Sequence, residues 1–119
     1  MLVVGANGGA GSFAVQLCAA LGCAVVAPAL EIDEAYLRGL GAAEVVAREE
    51  RPAADAVLDF VTPPAGVSAM SDPARVARLG ALIDEHSIRV PICEGFTFGQ
   101  IPEALAAFRD HKQGKLSIV

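Results

Sequence analysis

The residues best placed to do chemistry in this sequence carry almost no side chain: the run Gly5-Ala6-Asn7-Gly8-Gly9-Ala10-Gly11. It follows Met1-Leu2-Val3-Val4, a short apolar run of the kind that forms a strand buried on both faces. It opens a stretch, Ser12 to Leu21, in which Phe13, Val15, Leu17 and Cys18 alternate with good helix formers. A glycine-rich turn between strand and helix lets a pyrophosphate approach the backbone. The helix start adds N–H groups without partners and the positive end of the helix dipole. Gly11 would let the helix pack closely on the strand. No Lys follows the glycines, so a Walker-type phosphate loop is excluded. The same spacing also fits a tight strand-to-helix turn that binds nothing. Residues Ala6, Asn7, Gly8, Gly9, Ala10 and Gly11 are the candidate binding residues of this turn, with a pyrophosphate held on Gly8 to Gly11.

Other residue types offer less. Cys18, Cys23 and Cys93 are odd in number, follow no CxxC spacing and sit in apolar contexts, as reduced core cysteines of a cytoplasmic protein do. No metal is expected, since only His86 and His111 could join them and neither lies near a Cys in sequence. Each His ends a helical pattern, where it favours the helix dipole. Ser12, Ser68 and Ser71 lack a base at a motif spacing, so a hydrolase triad has no support. Asp59, at a strand end, reads as an acceptor for loop backbone rather than a catalytic acid. Thr62 follows it at the carboxyl end of that strand, where ligands of open α/β sheets bind.

These residues need a scaffold, and 119 residues supply one ordinary domain. The chain is 54% apolar and 19% charged, which excludes disorder and coiled coil. Its net charge of -5 lacks the basic face a nucleic-acid binder needs. No uninterrupted apolar run reaches the ~18 residues of a membrane span. No Lys or Arg precedes Arg38, and glycines interrupt the apolar N-terminus, so a secretory signal is not expected.

Further strands are expected at Cys23 to Ala27, Val45-Val46 and Ala56 to Val61. A helix is expected from Glu31 to Leu40, with Ile32, Tyr36, Leu37 and Leu40 on one side. Strand and helix alternating at this spacing predict right-handed crossovers and a doubly wound parallel sheet. In the second half, Ala65 to Met70 is a stretch of small residues. Asp72-Pro73 starts a helix that carries Val76, Leu79, Leu82 and Ile83 to about Glu85. Ile88 to Cys93 reads as an edge strand around Pro91. Gln100 to His111 is helical with Leu105 and Phe108 inward, and Leu116 to Val119 forms a last strand.

The stretch Leu2-Val3-Val4-Gly5-Ala6-Asn7-Gly8-Gly9-Ala10-Gly11-Ser12-Phe13-Ala14-Val15-Gln16-Leu17 resembles the cofactor-binding start of medium-chain dehydrogenases/reductases. The nearest branch is the quinone reductase, or zeta-crystallin-like, group, which is usually zinc-free. Tyr36-Leu37-Arg38-Gly39-Leu40-Gly41-Ala42 resembles that family's second-helix ending, and Ala56-Val57-Leu58-Asp59 its fourth strand. Leu82-Ile83, Pro91-Ile92, Phe96, Ala104-Leu105 and Gly114-Lys115-Leu116 resemble its C-terminal stretch. Three departures accompany the match. The family's N-terminal catalytic domain is not within the chain. About 20–30 residues of helix end, turn and fifth strand are lacking between Met70 and Ser71, judged from the size of a βαβ unit. The helix usual between the third and fourth strands is cut to the Arg48-to-Pro52 loop.

The resemblance implies an α/β Rossmann-type domain over residues 1–119, three-layer α/β/α and lacking one strand. It implies the cofactor-binding part of an NAD(P)H-dependent oxidoreductase that positions nicotinamide for hydride transfer to a quinone or carbonyl compound. A small-molecule substrate would bind only where a catalytic domain is joined to it, and no residue here takes a catalytic role. Ile88 to Cys93 resembles the strand by which family members pair into homodimers. The family habit is NADP, with Ser, Thr, Lys or Arg beyond the second strand. This chain instead has Pro28, Ala29, Leu30, Glu31, Asp33 and Glu34. Glu31 falls 20 residues after Gly11, where an acid can bond a ribose hydroxyl of NAD; Glu31 and Asp33 equally fit acids that stabilise a helix start. Of the cations, Arg38 and Lys115 are expected near the cofactor. The alternative is a non-catalytic Rossmann module, a cofactor sensor or dimerisation domain.

Overall fold

A computed structural model describes residues 1–62 and 72–119. Strand β1 (Leu2–Val4) is fully buried, as its unbroken apolar run requires. It leads through the glycine turn into α1 (Gly9–Ala20), three residues earlier than the apolar pattern indicates, because the glycines themselves form the first turn. Gly22, at φ +81°, reverses the chain toward β2 (Val26–Ala29). A single 3-10 turn (Glu31–Asp33) precedes α2 (Glu34–Gly39), so the expected ten-residue helix is divided and Ile32 is left 71% exposed. Strand β3 (Glu44–Ala47) and, after an irregular loop, β4 (Val57–Asp59) complete the sheet.

The four strands are parallel in the order β3-β2-β1-β4, with β1 central. Register pairs Val3 with Leu58, Val4 with Asp59, and Ala29 with Ala47. The carboxyl ends of β1, β2 and β4 therefore meet at one edge. This is the α/β Rossmann-type sheet with few strands and flanking helices that the alternation of elements demands. Val3, Val15, Val25 and Leu37 are completely buried at its centre, joined by Ala6, Ala14, Cys18, Ala27 and Ala42. Burial, and secondarily the neighbouring Cys23, pushes the Cys18 thiol above its ordinary value, so it remains a protonated core group.

The second half follows the expected elements but not the expected packing. Helix α3 (Pro73–His86) starts at Asp72, whose Oδ1 accepts from the backbone N–H of Ala74 at 3.0 Å and Arg75 at 3.4 Å. It buries none of its residues. Strand β5 begins after Pro91 rather than before it (Ile92–Phe96) and pairs in parallel with β6 (Lys115–Ile118). The two form a separate sheet instead of extending the first. Helix α4 (Ile101–Arg109) lies between them in sequence, and Leu105 and Phe108, expected inward, are each 63% exposed. Cys93, expected in the core, is exposed on β5. For α4 the cause is that a two-stranded sheet offers too little surface to cover a helix face. The Ala65-to-Met70 stretch and the Met70–Ser71 junction lie outside the described residues.

Polar links join the two halves, beside an apolar groove where Phe13 and Leu17 face Leu79, Ile83 and Val90. The Gln16 side chain on α1 donates to the Arg89 carbonyl at 2.8 Å and accepts from the Arg89 N–H at 3.2 Å. The Gly114 N–H donates to the Asn7 carbonyl at 2.8 Å, and Gly8 and Gly114 form an isolated parallel bridge. The packing makes stability lopsided. Leu37→Ala should cost roughly 2–5 kcal/mol in urea unfolding, whereas Leu105→Ala should stay within about 1 kcal/mol. Equal losses would contradict this division.

Candidate functional site

Strand β1 ends at Gly5, whose φ of +77° turns the chain out of the sheet. Ala6 is buried beneath the turn, Asn7 crosses it, and Gly8 takes the extended conformation of an N-cap with no side chain to cap the helix. The helical ladder opens with the Ser12 N–H on the Gly8 carbonyl at 2.8 Å. The amides of Gly9, Ala10 and Gly11 thus precede the ladder, where a helix has no acceptor for its own N–H groups. No acidic residue stands in this first turn to satisfy the dipole. A Cβ at Gly11 would sit 2.7 Å from the Ala6 Cα and closer still to the Gly5 carbonyl, so only glycine lets α1 come down on the turn. At Gly9 the obstacle would be the aliphatic stem of Lys115, which lies across the helix start from the C-terminal segment.

Beside the turn, at the carboxyl ends of β1 and β2, is a crevice of about 310 Å³. Its walls come from Gly5 and Asn7, from Pro28 to Leu30, from Asp33 and His111, and from Arg48, Glu49 and Arg51 after β3. The volume is at the lower end of small-molecule sites. A second groove of about 520 Å³ continues over Gly8 and Gly9 and is lined by Lys112 and Lys115. The two share Asn7 and His111 in their linings; Arg48 and Arg51 line the first, Lys112 and Lys115 the second.

Of the residues singled out in the sequence, the structure brings Ala6 to Gly11 together as one turn. Glu31 is exposed and lines a neighbouring groove with Glu34, Arg48 and Glu49, the last two shared with the crevice. The acid on the crevice wall is Asp33, which has no exposed surface. Its Oδ2 accepts from Asn7 Nδ2 at 3.1 Å. Its Oδ1 accepts from Gln113 Nε2 at 3.0 Å and pairs with His111 Nε2 at 2.8 Å. His111 therefore does not serve a helix end, since α4 stops at Arg109. Arg38, expected near the cofactor, turns back to Glu34 at 2.8 Å and lies outside the crevice lining.

Thr62 is exposed at the end of β4, and its N–H donates to Asp59 Oδ1 at 2.9 Å, alongside the Val61 N–H at 2.8 Å. The two amides, Thr62 first, hold the Asp59 carboxyl below its ordinary value. Asp59 is thus the backbone acceptor its position suggests, and its turn aims Val61 at the crevice.

Arg48, Arg51 and Gln113 were not legible as candidate site residues, and Asp33 was legible only as one of the acids beyond the second strand. Arg48 and Arg51 could have been found by asking which cations follow the third strand of a Rossmann sheet. Nothing in the spacing links Asp33 to residues 78 and 80 positions away. Among the described residues no cluster of His, Cys, Asp and Glu could hold a metal ion, and no helix is long and apolar enough to cross a membrane.

Neither a protein-family model nor a curated protein matches this sequence. Solved structures do match. The quinone oxidoreductase from Coxiella burnetii overlays 97% of this chain with a TM-score of 0.79 at 22% identity. The yhdH oxidoreductase from Salmonella enterica, solved in complex with NADP, overlays 99% with a TM-score of 0.73, also at 22% identity. YhdH of E. coli K-12, with bound NADPH, overlays 97% with a TM-score of 0.57 at 22% identity. The chain spans about half the length of each: 50%, 53% and 52%.

The Asp59 turn yields a test of local geometry. Its carboxyl titrates below the ordinary value when folded, so the turn is intact at neutral pH and loosens as pH falls through that depressed value. The Val61 and Thr62 amide resonances should follow one titration below the ordinary carboxylate range, and Asp59→Ala should remove it. A midpoint at the ordinary value would refute the turn. Across nearly its whole length, this chain has the fold of about half of a quinone oxidoreductase, and the resemblance read from its glycine turn holds at the level of that fold.

Proposed function

We propose that this chain is the nicotinamide-dinucleotide-binding module of a quinone oxidoreductase-like enzyme, and that its cofactor is NADP(H). One observation carries the reading: an uncapped helix start built from glycines lies beside two grooves, one lined by Lys115 and the other by Arg48 and Arg51. The amides of Gly9 to Gly11 are the donors a pyrophosphate needs. Ala6 and Asn7 shape the turn beneath it, and Lys115 adds a countercharge. Arg48, whose guanidinium has no partner among the described residues, suits a ribose 2'-phosphate at the far end. Arg51 donates to the Arg48 and Glu50 carbonyls, both at 2.7 Å, and so stiffens the loop that presents Arg48.

The residues present fit the cofactor. The helix start carries three amides ahead of its hydrogen-bond ladder, and Arg48, Arg51, Lys112 and Lys115 line the grooves beside it. When bound, the nicotinamide supplies or accepts a hydride; the protein holds it in place and need provide no acid or base of its own. Thr62 and Val61, at the end of β4, are the residues of this chain assigned to the nicotinamide end. The quinone or carbonyl substrate belongs to the whole protein, as does turnover, because the chain spans only half of the enzymes it overlays. NADP rather than NAD is favoured by the two crevice arginines. A homodimer through β5 belongs to the same reading; among the described residues that strand pairs only with β6.

The chain has no Trp, so nicotinamide emission can be titrated against a dark background. NADPH should bind saturably and more tightly than NADH. Arg48→Ala should weaken NADPH roughly tenfold, the size of one charge-assisted hydrogen bond, and leave NADH nearly unchanged. Failure of both cofactors to bind would overturn the function; equal loss for both would overturn the role of Arg48.

A further inference from the structure

We infer that His111 and Gln113 set cofactor choice, by occupying the buried crevice carboxylate, Asp33, which would otherwise select against a 2'-phosphate. The inference rests on the cofactor-binding reading above. In a Rossmann crossover an acid after the second strand accepts the ribose hydroxyls of NAD and repels the phosphate of NADP. Asp33, four residues beyond the end of β2, stands on the wall of the crevice and is the acid placed to do this.

It is held out of that role. A carboxylate has about four acceptor positions, and three of them here carry side-chain donors: Asn7, His111 and Gln113. No surface of Asp33 remains exposed, so a ribose hydroxyl could reach it only by displacing one of these groups. To donate to the carboxylate, His111 carries its proton on Nε2, a tautomer assigned from this bond. The donors also compensate the carboxylate's charge toward the crevice, which then presents Arg48 and Arg51 against a single further acid, Glu49. Two of the three donors arrive from the C-terminal segment, whose next residue, Gly114, is bonded to the Asn7 carbonyl at 2.8 Å. The lock therefore spans the glycine turn, the β2 crossover and the chain end, and one segment governs both the turn and the acid.

Removing the two C-terminal donors should release the acid. In H111A/Q113A the carboxylate keeps only Asn7 and becomes an acceptor for ribose hydroxyls and a repellent for phosphate. Kd values for NADPH and NADH are measured on one preparation by nicotinamide fluorescence, so that loss of folded protein cancels in their ratio. The preference for NADPH over NADH should fall roughly tenfold, by one charge-assisted hydrogen bond, in H111A/Q113A. It should return to within about threefold of the original in H111A/Q113A/D33N, whose amide carries no charge. A preference unchanged in the double variant overturns the inference, as does a change that D33N does not reverse. Absence of binding by the unsubstituted chain would instead remove the cofactor-binding reading, and this inference with it.

Discussion

The architecture of this chain depends on a contact that leaves no room for a Cβ. Helix α1 descends onto the turn after β1 until Gly11 meets the backbone of Gly5 and Ala6. That approach is possible because Gly5 takes a positive φ and Gly11 has no side chain. Its consequence is directional: the helix start is fixed above the carboxyl end of the central strand, with its first amides facing outward. Parallel order then brings β2 and β4 to the same edge, so the crevice is a product of topology as much as of side chains. Any larger residue at position 11 would lift the helix and take the donors with it.

Around that contact the molecule is uneven. The first 47 residues hold nearly all of the core, built from Val, Ala and Leu, while α3 buries nothing and α4 buries only Ala104. Polar links compensate in part. Gln16 holds the Arg89 backbone, and the Asp33 cluster with Gly114 holds the glycine turn. Such links fix geometry more than they add stability, since a net hydrogen bond contributes only about 1 kcal/mol. The C-terminal segment is accordingly the part whose attachment bears most directly on the shape of the site.

Much of this was legible in the residues. The strand-turn-helix of the first 20 residues followed from apolar runs and glycines, because local sterics and burial agree there. Asp72 and Pro73 announced α3 for the same local reason. Position within the sheet was harder: Ile88 to Cys93 read as an edge strand, yet β5 starts at Ile92 and pairs apart from the main sheet, which no periodicity reveals. Leu105 and Phe108 had the spacing of a buried face, but a face is buried only when something covers it. At the site, Glu31 was preferred over Asp33 by its distance from the glycines, whereas the buried acid on the crevice wall is Asp33, at the end of the same 3-10 turn. A two-residue displacement of that kind depends on how the crossover winds, and its partners at 111 and 113 are long-range choices of the fold.

The central claim is that the helix start at Gly9 to Gly11 receives the pyrophosphate. It is tested most directly by following backbone amide resonances of the isotopically labelled chain as NADPH is added. The amides of Gly8 to Ser12 should shift together and saturably, with those of Arg48 and Arg51 moving at the same ligand concentrations. Saturable shifts confined to other surfaces, with the glycine amides unmoved, would contradict it.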